Sequence, residues 1–338
     1  MILVTGGTGL VGSHLLYHLV REGNRVRAIY RSGSKIEDVK RIFRFYDSDS
    51  LPIFENIEWV EADLSDYFAL EDVLKDVKQV YHSAAMVSFN PQESDKMLKT
   101  NTEGTANLMN ACLVNKVEKV CYISSISSLG KQIGGIIDES TEWQANNHRS
   151  AYAYSKFRAE MEVWRASNEG IKVVMVNPSV IIGPVDWKRS SGKLFYSVKK
   201  GMPFYTDGAT GFVDVRDIAK AVVLLMESDV VNERFILNGE NISFREFYIM
   251  MATEMKKMKP FIKTSKFMTE IGWRLNLLLC FIARKAPAIT SDTARTAQTV
   301  SAYSSKKFSD RFNYKFIPVK ESVANAAKWF KMLENKTI

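Results

Sequence analysis

The chain opens on Ile2-Leu3-Val4 and passes at once into Thr5-Gly6-Gly7-Thr8-Gly9-Leu10-Val11-Gly12. Leu15, Leu16, Leu19 and Val20 then recur at helical spacing, and Gly23 supplies a stop. This is a strand buried on both faces, a tight turn and an amphipathic helix. The turn constrains the fold most. Gly6, Gly9 and Gly12 keep Cβ atoms out of the way. Backbone N–H groups of Thr8, Gly9, Leu10, Val11 and Gly12, at the start of a helix, can then meet a pyrophosphate.

The unit repeats along the first half. Val26–Tyr30, Ile57–Val60, Gln79–His82, Val117–Ile123 and Val173–Val176 read as further strands, and Met97–Val114 and Ala151–Ser167 as long helices between them. Such alternation predicts an α/β fold, a Rossmann-type doubly wound parallel sheet with helices on both faces. After Pro178 the rhythm breaks at Gly183-Pro184, Gly201-Met202-Pro203 and Asp207-Gly208. A helix over Asp214–Glu227 and a strand at Phe235–Leu237 return to the sheet, and the remainder reads as helical and basic, rich in methionine and aromatics. The expected division is a dinucleotide-binding part over residues 1–178, rejoined by 212–238. A smaller, mostly helical C-terminal substrate-binding cap would span 179–211 and 239–338.

Composition removes several function classes. With 46% hydrophobic and 25% charged residues the chain has an ordinary globular balance. Its net charge is +8, yet no basic block dominates and 38 acids are interspersed among 46 bases, so no nucleic-acid partner is expected. Cys112, Cys121 and Cys280 lack paired spacing, which argues against a disulfide framework or thiolate metal site and for a reducing compartment. Met1 leads straight into the first strand, and the longest apolar patch, Leu275–Ala283, falls far short of the roughly 20 residues of a spanning helix. A cytoplasmic protein without membrane insertion, acting on a small molecule, is expected. His14 and His18 stand four apart without a third ligand, so no metal is expected. His148 reads as a loop histidine rather than a proton relay. Met250, Met251, Met255 and Met258, with Phe247 and Phe261, suit a core at least as well as an adaptable pocket. Trp273–Ala283 reads as a cap helix rather than a membrane-touching one.

Two later motifs fit the glycine turn. The residue that reads the adenosine ribose lies about 20 positions past such a turn, at the end of the second strand. An acid there suits the free 2′-hydroxyl of NAD; this chain has Arg31, then Ser32 and Lys35, with no acid before Glu37. A guanidinium suits a 2′-phosphate, so NADP is expected over NAD. Tyr152 and Lys156, four apart on a helix, share one face, while Tyr154 points away. A nearby ammonium and a positive nicotinamide ring would pull the phenol down from its ordinary pKa near 10 and let it exchange a proton with a substrate oxygen. Lys156 could also hold the nicotinamide ribose. Ser124-Ser125 ends the fifth strand, where a hydroxyl can stabilise developing charge on that oxygen.

These pieces resemble the extended short-chain dehydrogenase/reductase superfamily, the NAD-dependent epimerase/dehydratase proteins. The likeness continues through Asp63-Leu64, His82-Ser83-Ala84-Ala85, Asn101-x-x-Gly104-Thr105, Asn177-Pro178-Ser179, Gly183-Pro184 and Phe212-Val213-Asp214-Val215-Arg216-Asp217. The resemblance implies that Asp63 and Leu64 flank the adenine, that Ser83, Ala84 and Ala85 line the cofactor groove with Ser124, and that Pro178, Ser179 and Val180 meet the nicotinamide end. It implies Ser125, Tyr152 and Lys156 as catalytic residues; counting back from Gly130 by analogy favours Ser125 over Ser124. Within the superfamily the chain is most similar to the dihydroflavonol 4-reductase group. Val26-Arg27-Ala28-Ile29-Tyr30-Arg31 resembles that group's NADP-reading strand. Thr290-Ser291-Asp292-Thr293-Ala294-Arg295 and Tyr303-Ser304-Ser305-Lys306-Lys307 resemble the tail of its bacterial members. Ile126-Ser127-Ser128 replaces the Asp-Glu pair of sugar-nucleotide dehydratases, and the cysteine signature of cinnamoyl-CoA reductases is absent. The expected activity is hydride transfer at a carbonyl or alcohol carbon, with Val87, Phe89, Phe195, Tyr205 and Phe212 shaping an apolar pocket. The rivals are a sugar-nucleotide epimerase with tightly bound NAD and a non-catalytic NADP sensor. The resemblance also implies a homodimer through the helices at 97–114 and 151–167.

Overall fold

A computed structural model describes residues 1–335 apart from 89, 133, 145–149, 188–190 and 283–289. Phe89 and His148 therefore lie outside the described residues. The first half runs β1 (Ile2–Thr5), α1 (Leu10–Arg21), β2 (Val26–Tyr30), α2 (Ile36–Tyr46), α3 (Leu51–Glu55), β3 (Glu58–Glu61), α4 (Tyr67–Val73) and β4 (Gln79–His82). It continues with α5 (Ser94–Leu98), α6 (Gly104–Val114), β5 (Lys119–Ile123), the two-residue β6 (Ile136–Ile137), α7 (Ala151–Asn168) and β7 (Lys172–Pro178). Beyond it come β8 (Val180–Ile182), α8 (Gly192–Lys199), β9 (Phe204–Tyr205), β10 (Ala209–Asp214), α9 (Val215–Glu227) and β11 (Glu233–Leu237). The last part is β12 (Glu240–Ser243), α10 (Phe244–Glu254), β13 (Ile262–Lys263), α11 (Lys266–Ile282), α12 (Ser291–Ala297), β14 (Ala302–Tyr303), α13 (Lys306–Phe312) and α14 (Val319–Asn335).

Seven strands form one all-parallel sheet in the order β11-β7-β5-β4-β1-β2-β3. Side chains alternate across it as the pleat requires. Val4, Cys121, Ile123, Val174 and Val176 enter one core with α1 and α9, while Leu3, Val120, Tyr122, Val173 and Met175 enter the opposite one with α4, α6 and α7. Because both faces are covered, β5 is buried at every position. The order reverses between β1 and β4. That is the switch point outside whose carboxyl ends ligands bind in open α/β sheets.

Two features depart from the sequence reading. The helix expected over Met97–Val114 is broken by a π turn at Lys99–Glu103 between α5 and α6. The wider turn sets Asn101 into the interior, where Nδ2 donates to Met86 O at 2.9 Å and Ser155 Oγ at 3.0 Å. The region after Pro178 also holds a second small sheet, with β10 parallel to β8 and antiparallel to β12. Its core gathers Phe195, Phe212, Phe247, Trp329 and Phe330. Phe212 stacks on Phe247 at 4.1 Å, and Trp329 Nε1 donates to Val185 O at 2.9 Å. Phe195 and Phe212, expected to shape a substrate pocket, are fully buried in this core because α8, α10 and α14 close over them. Val87 is exposed and Tyr205 half-buried, with the Arg245 guanidinium 4.9 Å over the tyrosine ring.

Candidate active site

The strand order decides what stands beside what. Moving along the carboxyl edge from β2 through β1, β4 and β5 to β7, the chain presents Arg31, then the glycine turn, Ser83 to Ala85, Ser124-Ser125 and Pro178 to Val180. Four strand steps of ~4.8 Å make this track about 19 Å long.

The glycine turn is packed too closely for side chains. Gly6 has φ +69, and a Cβ there would sit 2.6 Å from Ala84 N; one on Gly12 would sit 2.2 Å from Gly6 O. Beneath the turn, Ser83 Oγ donates to Thr5 O at 2.7 Å and Ala84 N to Thr5 Oγ1 at 3.2 Å. His82 is held between Thr5 Oγ1 (2.7 Å) and Thr105 Oγ1 (2.9 Å), and burial lowers its pKa to about 3, so the ring is neutral. Gly9 caps α1 without a side chain, and the first N–H groups of that helix remain oriented toward the edge. Leu10 and Val11 turn their side chains into the protein core, leaving backbone alone for a ligand. A cradle that a Cβ would fill, ending on an open helix start, fits a pyrophosphate.

At the end of β2 and β3 a cleft of about 440 Å³ is lined by Arg31 to Ser34 and by Glu61, Ala62 and Asp63. Asp63 Oδ1 accepts from Ser65 N (2.8 Å) and Ser65 Oγ (2.7 Å). Partial burial pushes this carboxyl up, but the Ser65 bonds together with Arg31 and Lys96 bring it below its ordinary value. Arg31 and Lys35 are exposed. Leu64 is buried against Gly104, where a Cβ would lie 2.8 Å from Leu64 Cβ. Further along, on α2, the Arg41 side chain, 3.3 Å from Asp38, lines a smaller cavity of about 50 Å³ with Thr8, Gly9, Ser13, Asp186 and Trp329.

At the other end, α7 presents Tyr152 and Lys156 toward β5. The Tyr152 hydroxyl lies near enough to the Ser125 side chain to be influenced by it, and Ser125 Oγ accepts from Ser127 N at 3.1 Å and donates to Ser127 Oγ at 3.2 Å. Ser124 turns inward instead, its Oγ 3.2 Å from Ser128 Oγ. Of the two serines, Ser125 is the one beside the phenol. Tyr154 is exposed and meets Arg158 at 3.3 Å. Lys156 is 1% exposed; its Nζ donates to Ile123 O at 2.9 Å and lies 4.4 Å over the Tyr122 ring. Burial lowers its pKa to about 7, opposed by the Glu160 carboxylate one turn further along. Burial raises the Tyr152 pKa, with the neighbouring Ser125 side chain opposing.

Glu160 was not singled out from the sequence. It is fully buried, and its Oε1 accepts from Ser128 Oγ (2.5 Å) and Asn177 Nδ2 (2.7 Å), with Arg234 Nη1 3.5 Å from Oε2. Asn177 Nδ2 also donates to Ser125 O at 3.1 Å, and Ser128 Oγ, whose one proton can turn to either oxygen, lies 2.7 Å from the same carbonyl. One buried carboxylate thus anchors the turn carrying Ser125. The i, i+4, i+8 series Tyr152, Lys156, Glu160 was the available signal; its partners come from distant strands. Beside them, Ser179 Oγ and Asn177 Oδ1 are buried without a hydrogen-bond partner among the described residues, so polar atoms at the end of β7 await one. His14 is neutral too: burial lowers it to about 4 while it meets Leu10 O at 2.7 Å. Among the described residues no group of three ligating side chains could hold a metal.

Comparison with known proteins agrees with this geometry. A family model described as NAD dependent epimerase/dehydratase family matches residues 2–238. A curated protein of Synechocystis sp., described as a candidate dihydroflavonol 4-reductase, is 28% identical over 335 residues, 97% of this chain and 93% of that protein. The crystal structure of gox2253 is 31% identical with a TM-score of 0.82, covering 98% of each chain. The UDP-N-acetylglucosamine 4-epimerase of Methanobrevibacter ruminantium, solved with UDP-N-acetylmuramic acid, shares the fold at 23% identity and a TM-score of 0.75, again over 98% of each chain. With a glycine cradle at the switch point and a family match over most of its length, this chain belongs to the NAD dependent epimerase/dehydratase family.

Proposed function

We propose that this protein is an NADP-dependent oxidoreductase that reduces a carbonyl carbon, or oxidises the matching alcohol, of a small and largely apolar substrate. The observation that carries this reading is Tyr152 beside Ser125, with Lys156 one turn along the same helix. Gly6, Thr8, Gly9, Leu10, Val11 and Gly12 would hold the pyrophosphate and Arg31, with Lys35, the 2′-phosphate. Asp63 and Leu64 would flank the adenine, Ser83 to Ala85 and Ser124 line the groove, and Pro178 to Val180 meet the nicotinamide. When bound, that ring supplies or accepts the hydride at the substrate carbon. Ser125 hydrogen-bonds the substrate oxygen and steadies its growing negative charge. Tyr152 donates its phenolic proton to that oxygen, and the Lys156 ammonium stabilises the phenolate left behind.

The likeness to a dihydroflavonol 4-reductase relative over nearly the whole chain supports reductase chemistry. The fold shared with a UDP-sugar epimerase supports the alternative, an epimerase with tightly bound NAD. A non-catalytic NADP sensor is a weaker alternative, since Tyr152 and Lys156 are both kept. The division into cofactor and substrate parts, a homodimer through the helices at 97–114 and 151–167, and a cytoplasmic location belong to the same reading. Oxidation of NADPH with a panel of apolar aldehydes and ketones tests it. Tyr152→Phe is expected to lower turnover by about 10²–10⁴-fold while leaving NADPH affinity nearly intact. Undiminished turnover refutes the assignment, whereas purification with bound NAD and no use of added NADPH favours the epimerase.

A further inference from the structure

The first turns of α11 leave large apolar side chains in solvent. A helix packed on its own protein faces apolar residues inward and polar ones outward. Here Thr269 faces the protein: its Oγ1 accepts from Gln298 Nε2 at 2.7 Å, and the same nitrogen donates to Thr264 O at 2.9 Å, tying α11 to the end of α12. The outward side carries Phe267, 73% exposed, with Met268, Ile271 and Leu275 also exposed. Phe267, Ile271 and Leu275 stand at i, i+4 and i+8 and form one stripe. Phe261, 65% exposed, and Met258 lie on the segment leading into the helix.

The charge of this region is one-sided. Residues 255–282 include Lys256, Lys257, Lys259, Lys263, Lys266 and Arg274 against a single acid, Glu270. Arg274 pairs with Glu270, and Lys263 with Asp207 at 2.6 Å. The other four lysines are exposed and in no ion pair among the described residues. An apolar stripe with uncompensated cations beside it suits a helix lying in the plane of a bilayer. Its apolar groups enter the acyl boundary, and lysine stems follow while the ammonium groups stay among anionic headgroups. A second copy of this chain on the same face would bring four further unpaired lysines, its nearby acids Glu270 and Asp207 being already paired with Arg274 and Lys263. No described helix is long and apolar enough to cross a membrane, so the contact is with one surface. We propose that α11 and residues 256–263 form a docking surface for an anionic lipid bilayer.

The test is sedimentation of the full chain with vesicles of equal parts phosphatidylcholine and phosphatidylglycerol, against pure phosphatidylcholine. Binding to the anionic vesicles is expected to be at least about tenfold stronger and to weaken as salt is raised. Phe267→Ser with Leu275→Ser, and separately glutamine at Lys256, Lys257, Lys259 and Lys266, should each lower it about tenfold. Melting temperature and NADPH affinity should be unchanged. Absence of binding at low salt overturns the proposal, as does equal binding to both vesicle types. A dimer in analytical ultracentrifugation that dissociates in the Phe267→Ser, Leu275→Ser variant, without vesicle binding, would assign the face to a second copy instead.

Discussion

The two ends of the candidate site are built on opposite principles. At the adenosine end, Arg31 and Lys35 are exposed on the loop after β2, in a cleft open to solvent. At the catalytic end, Lys156 and Glu160 are buried, and Glu160 is bonded to Ser128 and Asn177 and lies near Arg234. Exposed charges on a loop carry little folding energy, so the residues proposed to choose the cofactor can change without disturbing the fold. Buried charges are costly unless every partner is present, so the catalytic end is inseparable from the core.

If that contrast is right, substitutions should rank by how deeply they cut into the network. Glu160→Ala leaves Lys156 and Arg234 without their carboxylate and should cost ~3–5 kcal/mol in denaturant unfolding. A loss below about 1 kcal/mol would break the comparison. Gly12→Ala places a methyl group against Gly6 O, and a loss of about 1–3 kcal/mol with weakened NADPH binding is expected.

The buried histidines sharpen the same point through pH. His14 and His82 have folded pKa values of about 4 and about 3, below the ordinary 6.5, so the unfolded chain binds more protons in acid. Their contribution is fully present above pH 6.5 and is lost as pH falls from there toward 4 and 3. Each should steepen the fall by about 1.4 kcal/mol per pH unit. Denaturant midpoints between pH 7.5 and 4.5 check this, and His14→Gln should flatten the slope by about one proton. The smallest stability effect belongs to Arg31→Ala, within about 0.5 kcal/mol of the parent. Its NADPH affinity, by contrast, should drop at least about tenfold, as loss of a charge-assisted contact to phosphate demands.

The same contrast explains what could be read from sequence. The parallel strands were legible because burial on both faces writes continuous apolar runs, as in Val120-Cys121-Tyr122-Ile123. The glycine turn was legible because no other residue fits at Gly6 or Gly12. The small sheet was not, since β12 reads Glu240-Asn241-Ile242-Ser243, too short and polar to show a period. The π turn at Lys99–Glu103 left no mark because it alters the backbone without changing residue type. Phe195 and Phe212 were read as pocket residues, and only the packing of α8, α10 and α14 reveals them as core. The depth at which Tyr152 is buried, which raises its pKa, is not carried by the sequence.

Calorimetric binding of NADPH and NADH to cofactor-stripped protein, with Arg31→Ala alongside, tests the central claim most directly. The account predicts tighter binding of NADPH that collapses to the NADH level in the variant. Equal or tighter binding of NADH by the parent would contradict it, make Arg31 a bystander and bring the epimerase reading forward.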